Sequence, residues 1–254
     1  MPSSWLAAST FVYLLIFCRL GSAIMLMPGI GEAYVPPRVR LLLALSISAL
    51  LAPVLAPHLP AQPTTVTGLM VVVGGELIIG LFIGAVARVF INAANVAGTV
   101  IATQSGLASA QIFDMTQTSQ SAVVANLLSV TAVTLLFAMD LHHIFLGALR
   151  SSYDAFPAGL FPPIDDMANY MAQSVTHAFA LGVRIAAPQI VVGLVLYLGA
   201  GVLSRLMPSM QIFFVLMAPQ LLLSFFVLMV TISGSMLWYM NQLGDVFSHF
   251  PALP

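Results

Sequence analysis

Six long apolar runs dominate the sequence and restrict what the chain can fold into. They cover residues 5–27, 39–57, 69–102, 121–149, 174–203 and 211–243. An apolar helix of about twenty residues is long enough to cross the hydrocarbon layer of a membrane. The runs therefore predict an all-α, polytopic integral membrane protein built from long, kinked helices and helical hairpins.

The composition supports a membrane protein and excludes nucleic acid as a partner. Hydrophobic residues make up 60% of the chain and charged residues 6%, whereas roughly a quarter of an ordinary soluble domain is charged. Such a chain has too little polar surface to cover a water-soluble globule. The Lys and Arg positions are all arginine, and the net charge is −1. These arginines form no cluster that could neutralise the phosphates of a nucleic acid.

Prolines mark the breaks between the first three runs. Proline removes a backbone donor and disfavours helix at the residue before it, so short loops are expected at Pro28, Pro36, Pro37, Pro53, Pro57, Pro60 and Pro63. Two further prolines, Pro188 and Pro219, lie deep inside apolar runs. There they free a carbonyl that a neighbouring helix or a water must satisfy, which indicates kinked, packed helices.

The stretch from Thr103 to Ser121 is polar, almost uncharged and rich in small residues, and it lies between two strongly apolar runs. Irregular backbone at membrane depth is tolerated only where protein buries it or where it lines a wet cavity. A constriction or plug element fits that condition. An ordinary external loop with a few apolar residues fits the composition equally well, so both interpretations stay open.

Two charges, Glu76 and Arg88, lie inside one apolar run. Their spacing of twelve residues is about three and a third helical turns, so they point in different directions and each needs another partner. Charges at membrane depth usually face protein or water. For Glu76 a subunit contact or a lumen lining is favoured over a side chain that reaches the interface from near a helix end. For Arg88 a subunit contact and such an interfacial side chain stay equally open.

Asp140, His142 and His143 form the tightest titratable cluster. Adjacent histidines on a helix diverge by about a hundred degrees, so we expect no metal site there, and no cofactor elsewhere. The sequence shows none of the common nucleotide, dinucleotide or hydrolase motifs. A non-enzymatic protein is therefore favoured over a secondary transporter, which should show inverted repeats, and over an intramembrane enzyme.

Four blocks, in order along most of the chain, resemble the flagellar biosynthetic protein FliR family and its injectisome relatives. They run from Arg19 to Pro53, from Glu76 to Leu107 with a Gln-x-Gly-Leu motif at its end, from Leu135 to Gly159, and from Ala186 to Gln220. Two positions depart from the family pattern. Met115 replaces a frequent proline, and Met217 replaces a frequent glycine.

This resemblance implies a core subunit of a type III protein-export gate in the bacterial inner membrane, within the flagellar basal body. The implied partners are FliP and FliQ homologues in a helical assembly, FlhB and FlhA, exported unfolded proteins, and membrane lipid. Residues 1–165 would be FliP-like and residues 166–254 a FliQ-like hairpin. An injectisome gate subunit is the alternative.

The resemblance also implies two sites. The loop after the third run would plug the pore, with the plug or gate formed by Gln104, Gly106, Leu107, Ile112, Phe113 and Met115. The turn between the last two runs, at Arg205 and Pro208, would lie on the cytoplasmic side and meet FlhB or incoming substrate.

Overall fold

The computed structural model describes residues 3–106, 122–206 and 212–248. Within these ranges the chain forms seven α-helices, one 3-10 turn (Ala56–His58) and no strand. The helices are α1 (Ser3–Leu26), α2 (Pro37–Leu55), α3 (Val66–Gln104), α4 (Ala122–Ala138), α5 (Leu141–Ala155), α6 (Ile164–Leu206) and α7 (Ile212–Ser248).

Four of the described helical segments are long and apolar enough to cross a membrane: Pro37–His58, Val66–Gln104, Ile164–Leu206 and Leu216–Ser248. The pair α4 and α5 adds a fifth if it counts as one broken span. The 39 residues of α3 reach about 58 Å at the helical rise. This run does not break, so it exceeds one crossing. The predicted all-α, polytopic membrane protein is confirmed.

The fourth apolar run differs from the prediction because it forms two helices instead of one. The axes of α4 and α5 differ by 74°, and the bend falls at Asp140, whose backbone is left-handed with φ 58°. Aspartate is one of the few residues with a side chain that tolerates this conformation. The amide of Asp140 donates to the carbonyl of Phe137 at 3.3 Å, which closes the turn.

The prolines inside helices follow the prediction at two positions and contradict it at a third. Pro188 lies within α6 and Pro219 within α7. Pro53, which was expected to break the chain, lies within α2. One missing donor near the end of an otherwise strongly apolar helix is tolerated, and the helix ends only at Leu55, where the 3-10 turn containing Pro57 follows.

The chain divides into two compact units that interleave along the sequence. The first contains Met1–Phe90, Phe137–Val175 and Gly244–Pro254, and the second contains Ile91–Leu136 and Thr176–Leu243. Their boundaries do not follow the division at residue 165. That division rests on resemblance to two other proteins, and it stays a prediction.

In the first unit, α1 packs between α2 and α3. Ile16, Leu20 and Ile24 of α1 are fully buried and form a cluster with residues of α2. On the side facing α3, Gly80 allows close backbone contact, since a Cβ at this position would lie 2.9 Å from the carbonyl carbon of Arg19. This close approach brings the middle of α1 against the middle of α3.

Candidate functional site

A buried ion pair lies where α1 meets α3 in the first unit. The Nε of Arg19 donates to Oε2 of Glu76 at 2.6 Å, and its Nη2 donates to Oε1 at 3.0 Å. The two side chains are 0% and 1% exposed. This two-pronged geometry is the strongest form of carboxylate recognition by arginine.

The remaining donors of Arg19 are bound by the C-terminal end of α5. Its Nη1 donates to the carbonyl and the hydroxyl oxygens of Ser152 at 3.0 and 3.3 Å, and its Nη2 also donates to the carbonyl of Phe156 at 2.9 Å. The guanidinium carbon lies 3.9 Å from the ring centroid of Tyr153. All five N–H donors of the guanidinium therefore have partners, and one residue joins α1, α3 and α5.

Glu76 therefore has its partner within the chain. Sequence reasoning showed that it could not pair with Arg88, but it did not identify Arg19. The available signal was that two opposite charges each lie within an apolar run, a situation in which such charges usually pair. The prediction that Glu76 contacts another subunit concerns an assembly of several chains and stays a prediction. Within this chain its carboxylate is buried.

Arg88 has a weaker contact in the same unit. Its Nη2 lies 3.9 Å from Oε2 of Glu32, and the two side chains are 42% and 33% exposed. An ion pair of this length and exposure contributes little to stability. The predicted subunit contact of Arg88 also stays a prediction, and its side chain remains accessible for one.

In the second unit, the structure shows how the polar stretch begins. Helix α3 ends at Gln104, the amide of Ser105 still donates to the carbonyl of Ile101 at 2.9 Å, and Gly106 adopts φ +79°. A glycine in this left-handed conformation is a common way to end a helix. The other predicted plug residues, Leu107, Ile112, Phe113 and Met115, lie outside the described residues.

The end of α3 is bound by a side chain of α7. The amide nitrogen of Gln220 donates to the main-chain carbonyl of Gln104 at 2.9 Å and to the hydroxyl of Tyr197, on α6, at 3.2 Å. A hydrogen bond between Gln189 of α6 and Ser224 of α7 also links those two helices. Sequence reasoning identified Gln104 and Gly106 but missed Gln220 and Tyr197, because no local pattern relates them to the polar stretch.

The structure brings Asp140, His142 and His143 together in the first unit. Their ligand atoms lie within 4.8 Å of one another, and the two imidazole centroids are 4.1 Å apart, so the expectation that these rings diverge is wrong. Nδ1 of His143 lies 3.6 Å from Oδ1 of Asp140, and both side chains are largely exposed. The expectation of no metal at this cluster stays a prediction.

At the predicted cytoplasmic turn, Arg205 lies in the last turn of α6 and is exposed. A cation there is stabilised by the negative end of the helix dipole. Pro208 lies outside the described residues. The placement of this turn on the cytoplasmic side stays a prediction.

These features define the class of the protein. The chain is a polytopic helical membrane protein, with a buried ion pair between its first and third helices and a polar, nearly uncharged stretch between two long apolar helices. The chain belongs to the family described as bacterial export proteins, family 1, which it matches over residues 10–246.

The chain is also similar to individual proteins of known name. The chain is 39% identical to the flagellar biosynthetic protein FliR of Caulobacter vibrioides, covering 95% of this chain and 98% of the relative. It is 24% identical to FliR of Bacillus subtilis, over 87% of this chain and 86% of that relative. It is 29% identical to the Yop proteins translocation protein T of Yersinia pestis, over 57% of this chain and 56% of that relative. The resemblance to FliR and its injectisome relatives is confirmed.

Proposed function

We propose that this chain is a non-enzymatic core subunit of the type III protein-export gate, and that it helps to form and to plug the inner-membrane channel for unfolded flagellar substrates. The observation that carries this proposal is the polar stretch from Thr103 to Ser121, together with family membership. Both of its neighbours, α3 and α4, are strongly apolar helices.

A plug made of uncharged and apolar side chains suits this task physically. A channel wide enough for an unfolded polypeptide must still block ions, and apolar groups at a constriction do so by excluding water. Leu107, Ile112 and Phe113 supply such groups, with Gln104, Gly106 and Met115 around them. Because the sealing groups themselves carry no charge, the seal is reversible when a polypeptide enters.

Association with further helices is supported by the apolar surface that a single chain leaves uncovered. On α7, Phe226 is 62% exposed and Met229 is 76% exposed, and on α6, Leu198 is 64% exposed. These faces need lipid or apolar protein. FliP and FliQ homologues are the proposed neighbours, with lipid covering the remainder, and Glu76 and Arg88 mark the helix whose face would contact a neighbouring subunit.

The flagellar system is favoured over the injectisome by the extent of the similarity. The Caulobacter FliR matches nearly the whole chain at 39% identity, whereas the Yersinia translocation protein T matches 57% of it at 29%. We place the protein in the inner membrane at the flagellar basal body. FlhB and FlhA would lie on the cytoplasmic side, where Arg205 could meet FlhB or an incoming chain.

The role proposed is structural and not catalytic. At the first unit's buried site, every donor of Arg19 is already bound, and both oxygens of Glu76 accept bonds from it. A pair engaged in this way holds helices together and leaves no free group for acid–base chemistry. Power for export would come from other components of the apparatus.

The plug is tested by removing its apolar groups and measuring ion leakage. Deletion of residues 106–113 should leave assembly largely intact while raising the ion conductance of membranes that contain the assembled gate. Serine at Leu107, Ile112 and Phe113 should have the same effect at constant length. Isoleucine, valine and leucine at these three positions form the matched control, because they keep the site apolar. Unchanged conductance in both the deletion and the serine variant would refute the plug.

A further inference from the structure

The main-chain carbonyl of Gln104 is one of the last four in α3, and these carbonyls have no donor within their own helix. The side-chain amide of Gln220 supplies the missing donor from α7, at 2.9 Å. The bond spans 116 positions in the sequence. It therefore ties the residue at which the polar stretch leaves its helix to a helix far along the chain.

The amide of Gln220 is itself held in place. It donates to the hydroxyl of Tyr197 at 3.2 Å, so α6 and α7 together orient it. Gly106 also lies against this amide, since a Cβ there would be 3.4 Å from the amide carbon of Gln220. Glycine at this position lets the chain turn directly against that amide.

The side chain of Gln104 makes a second contact, with α6. It lies over Gly193, where an added Cβ would be 2.6 Å from Oε1 of Gln104. A side chain at position 193 would require the flexible end of the Gln104 side chain to move away. The end of α3 is thus hydrogen-bonded to α7 through its main chain, and its side chain lies against α6.

We propose that Gln220 is a positioning residue that holds the first residues of the polar stretch, Gln104 to Gly106, in the arrangement that keeps the export channel closed. This inference rests on the proposed plug function. We name the contact between the Gln220 amide and the Gln104 carbonyl the Gln104–Gln220 clasp.

The surroundings of the clasp allow it to open. A cavity of about 270 Å³ lies beside it, and its lining includes Tyr197, Gly201, Ser204 and Gln220. The cavity leaves space next to the amide. A single neutral hydrogen bond changes a population by about two- to tenfold, so a passing polypeptide could release the clasp and the channel could close again afterwards.

The clasp can be measured without reference to conductance, by a disulfide between positions 104 and 193. A Cβ at Gly193 would lie 3.7 Å from the Cβ of Gln104, within the range of about 3.5–4.5 Å found in disulfides. Cys18 is the single cysteine of the sequence, so a Cys18→Ser background removes competing thiols. In that background, Gln104→Cys with Gly193→Cys keeps the main-chain carbonyl that accepts the hydrogen bond of Gln220. This pair should form the disulfide rapidly in the assembled gate.

Two replacements of Gln220 remove the donor. Gln220→Met keeps the length of the side chain, and Gln220→Glu keeps its shape but cannot donate when ionised. Each should slow formation of the 104–193 disulfide by about two- to tenfold. Gln242→Met, the same change about six turns further along α7, is the matched control and should leave the rate unchanged.

The same variants should change leakage. Without the disulfide-forming cysteines, Gln220→Met and Gln220→Glu should raise ion conductance above that of Gln242→Met, at equal recovery of the assembled gate. Forming the 104–193 disulfide in the Gln220→Met variant should bring conductance back down, and a reductant should restore the leak. This rescue separates positioning of the polar stretch from a general loss of structure, since a misfolded gate would not be repaired by one bond.

The proposal is overturned if neither Gln220 variant changes the rate of disulfide formation, or if both leave conductance at the level of the control. The two proposals can fail separately. If the deletion of residues 106–113 leaks while the Gln220 variants do not, the plug stands and the clasp is wrong. If neither the deletion nor the serine variant leaks, the plug is wrong, and the positioning role that depends on it falls as well.

Discussion

Arg19 and Glu76 lie 57 positions apart in the chain and are joined by two hydrogen bonds, of 2.6 and 3.0 Å, in the interior of the first unit. Taking both charges out of water is costly, and their attraction offsets that cost only when the geometry is good and the remaining donors are satisfied. The carbonyls of Ser152 and Phe156 meet that condition. The pair therefore fixes how α1, α3 and α5 pack.

Removing one partner of this pair should be far more damaging than removing both. Glu76→Leu leaves a buried, unpaired guanidinium, and we expect a loss of about 3–5 kcal/mol of stability and poor recovery of the folded chain. Arg19→Met combined with Glu76→Leu should regain much of that loss, because no buried charge remains. Thermal unfolding in detergent measures the stability of the single and the double variant.

The same pair of variants tests the predicted subunit contact of Glu76. If the carboxylate also contacts a neighbouring subunit, the double variant should fold but still co-purify poorly with the other gate subunits. Normal co-purification of the double variant would assign Glu76 to the interior of its own chain alone.

The close contact between α1 and α3 should depend on the absence of a side chain at Gly80. Gly80→Ala would place a Cβ against the carbonyl of Arg19, and we expect a loss of about 1–3 kcal/mol from overpacking. Gly74→Ala, on the same helix, is the control, because a Cβ there meets nothing within 4 Å. It should stabilise the helix by roughly 0.5–1 kcal/mol. Equal melting temperatures for the two variants would contradict the close packing.

Arg88 should matter more for assembly than for folding. Its contact with Glu32 is 3.9 Å long and partly exposed, so Arg88→Gln should change the free energy of unfolding by at most about 1 kcal/mol. If Arg88 contacts another subunit, the variant should nevertheless reduce recovery of the assembled gate. Glu32→Gln serves as the control, since it removes the same intrachain contact. Equal recovery of both variants would leave Arg88 without a subunit role.

The orientation of the turn after α6 can be tested by labelling. Arg205 is exposed at the end of α6, and Arg205→Cys in a Cys18→Ser background provides a single thiol. A membrane-impermeant thiol reagent should label it in inverted vesicles, which expose the cytoplasmic face, and not in intact cells. Labelling in intact cells instead would place the turn on the opposite side.

The long helices could be predicted from the sequence because their signal is local. Apolar runs of about twenty or more residues, with few charges, form helices at membrane depth wherever they occur, and the positions of Pro188 and Pro219 inside such helices followed directly. Pro53 shows the limit of local rules. A proline often ends a helix in water, yet α2 continues past it because the flanking residues are strongly apolar.

The bend between α4 and α5 was not predictable from hydropathy. Residues 121–149 form one apolar run by composition, but Asp140 adopts a left-handed conformation and divides it. A two-residue turn, Met139 and Asp140, separates the two helices, whose axes differ by 74°. The short polar sequence at Asp140 to His143 was visible, and the packing around it decided how the chain turns.

Hydropathy and proline placement along the chain were enough to predict a helical membrane protein with a nearly uncharged polar stretch after its third apolar run. These properties depend on residues close together in the chain, whose hydropathy and spacing act locally. The pairing of Arg19 with Glu76 and the bond from Gln220 to the carbonyl of Gln104 became visible only in the folded chain. Such partners lie 57 and 116 positions apart, and the packing of whole helices selects which polar groups meet.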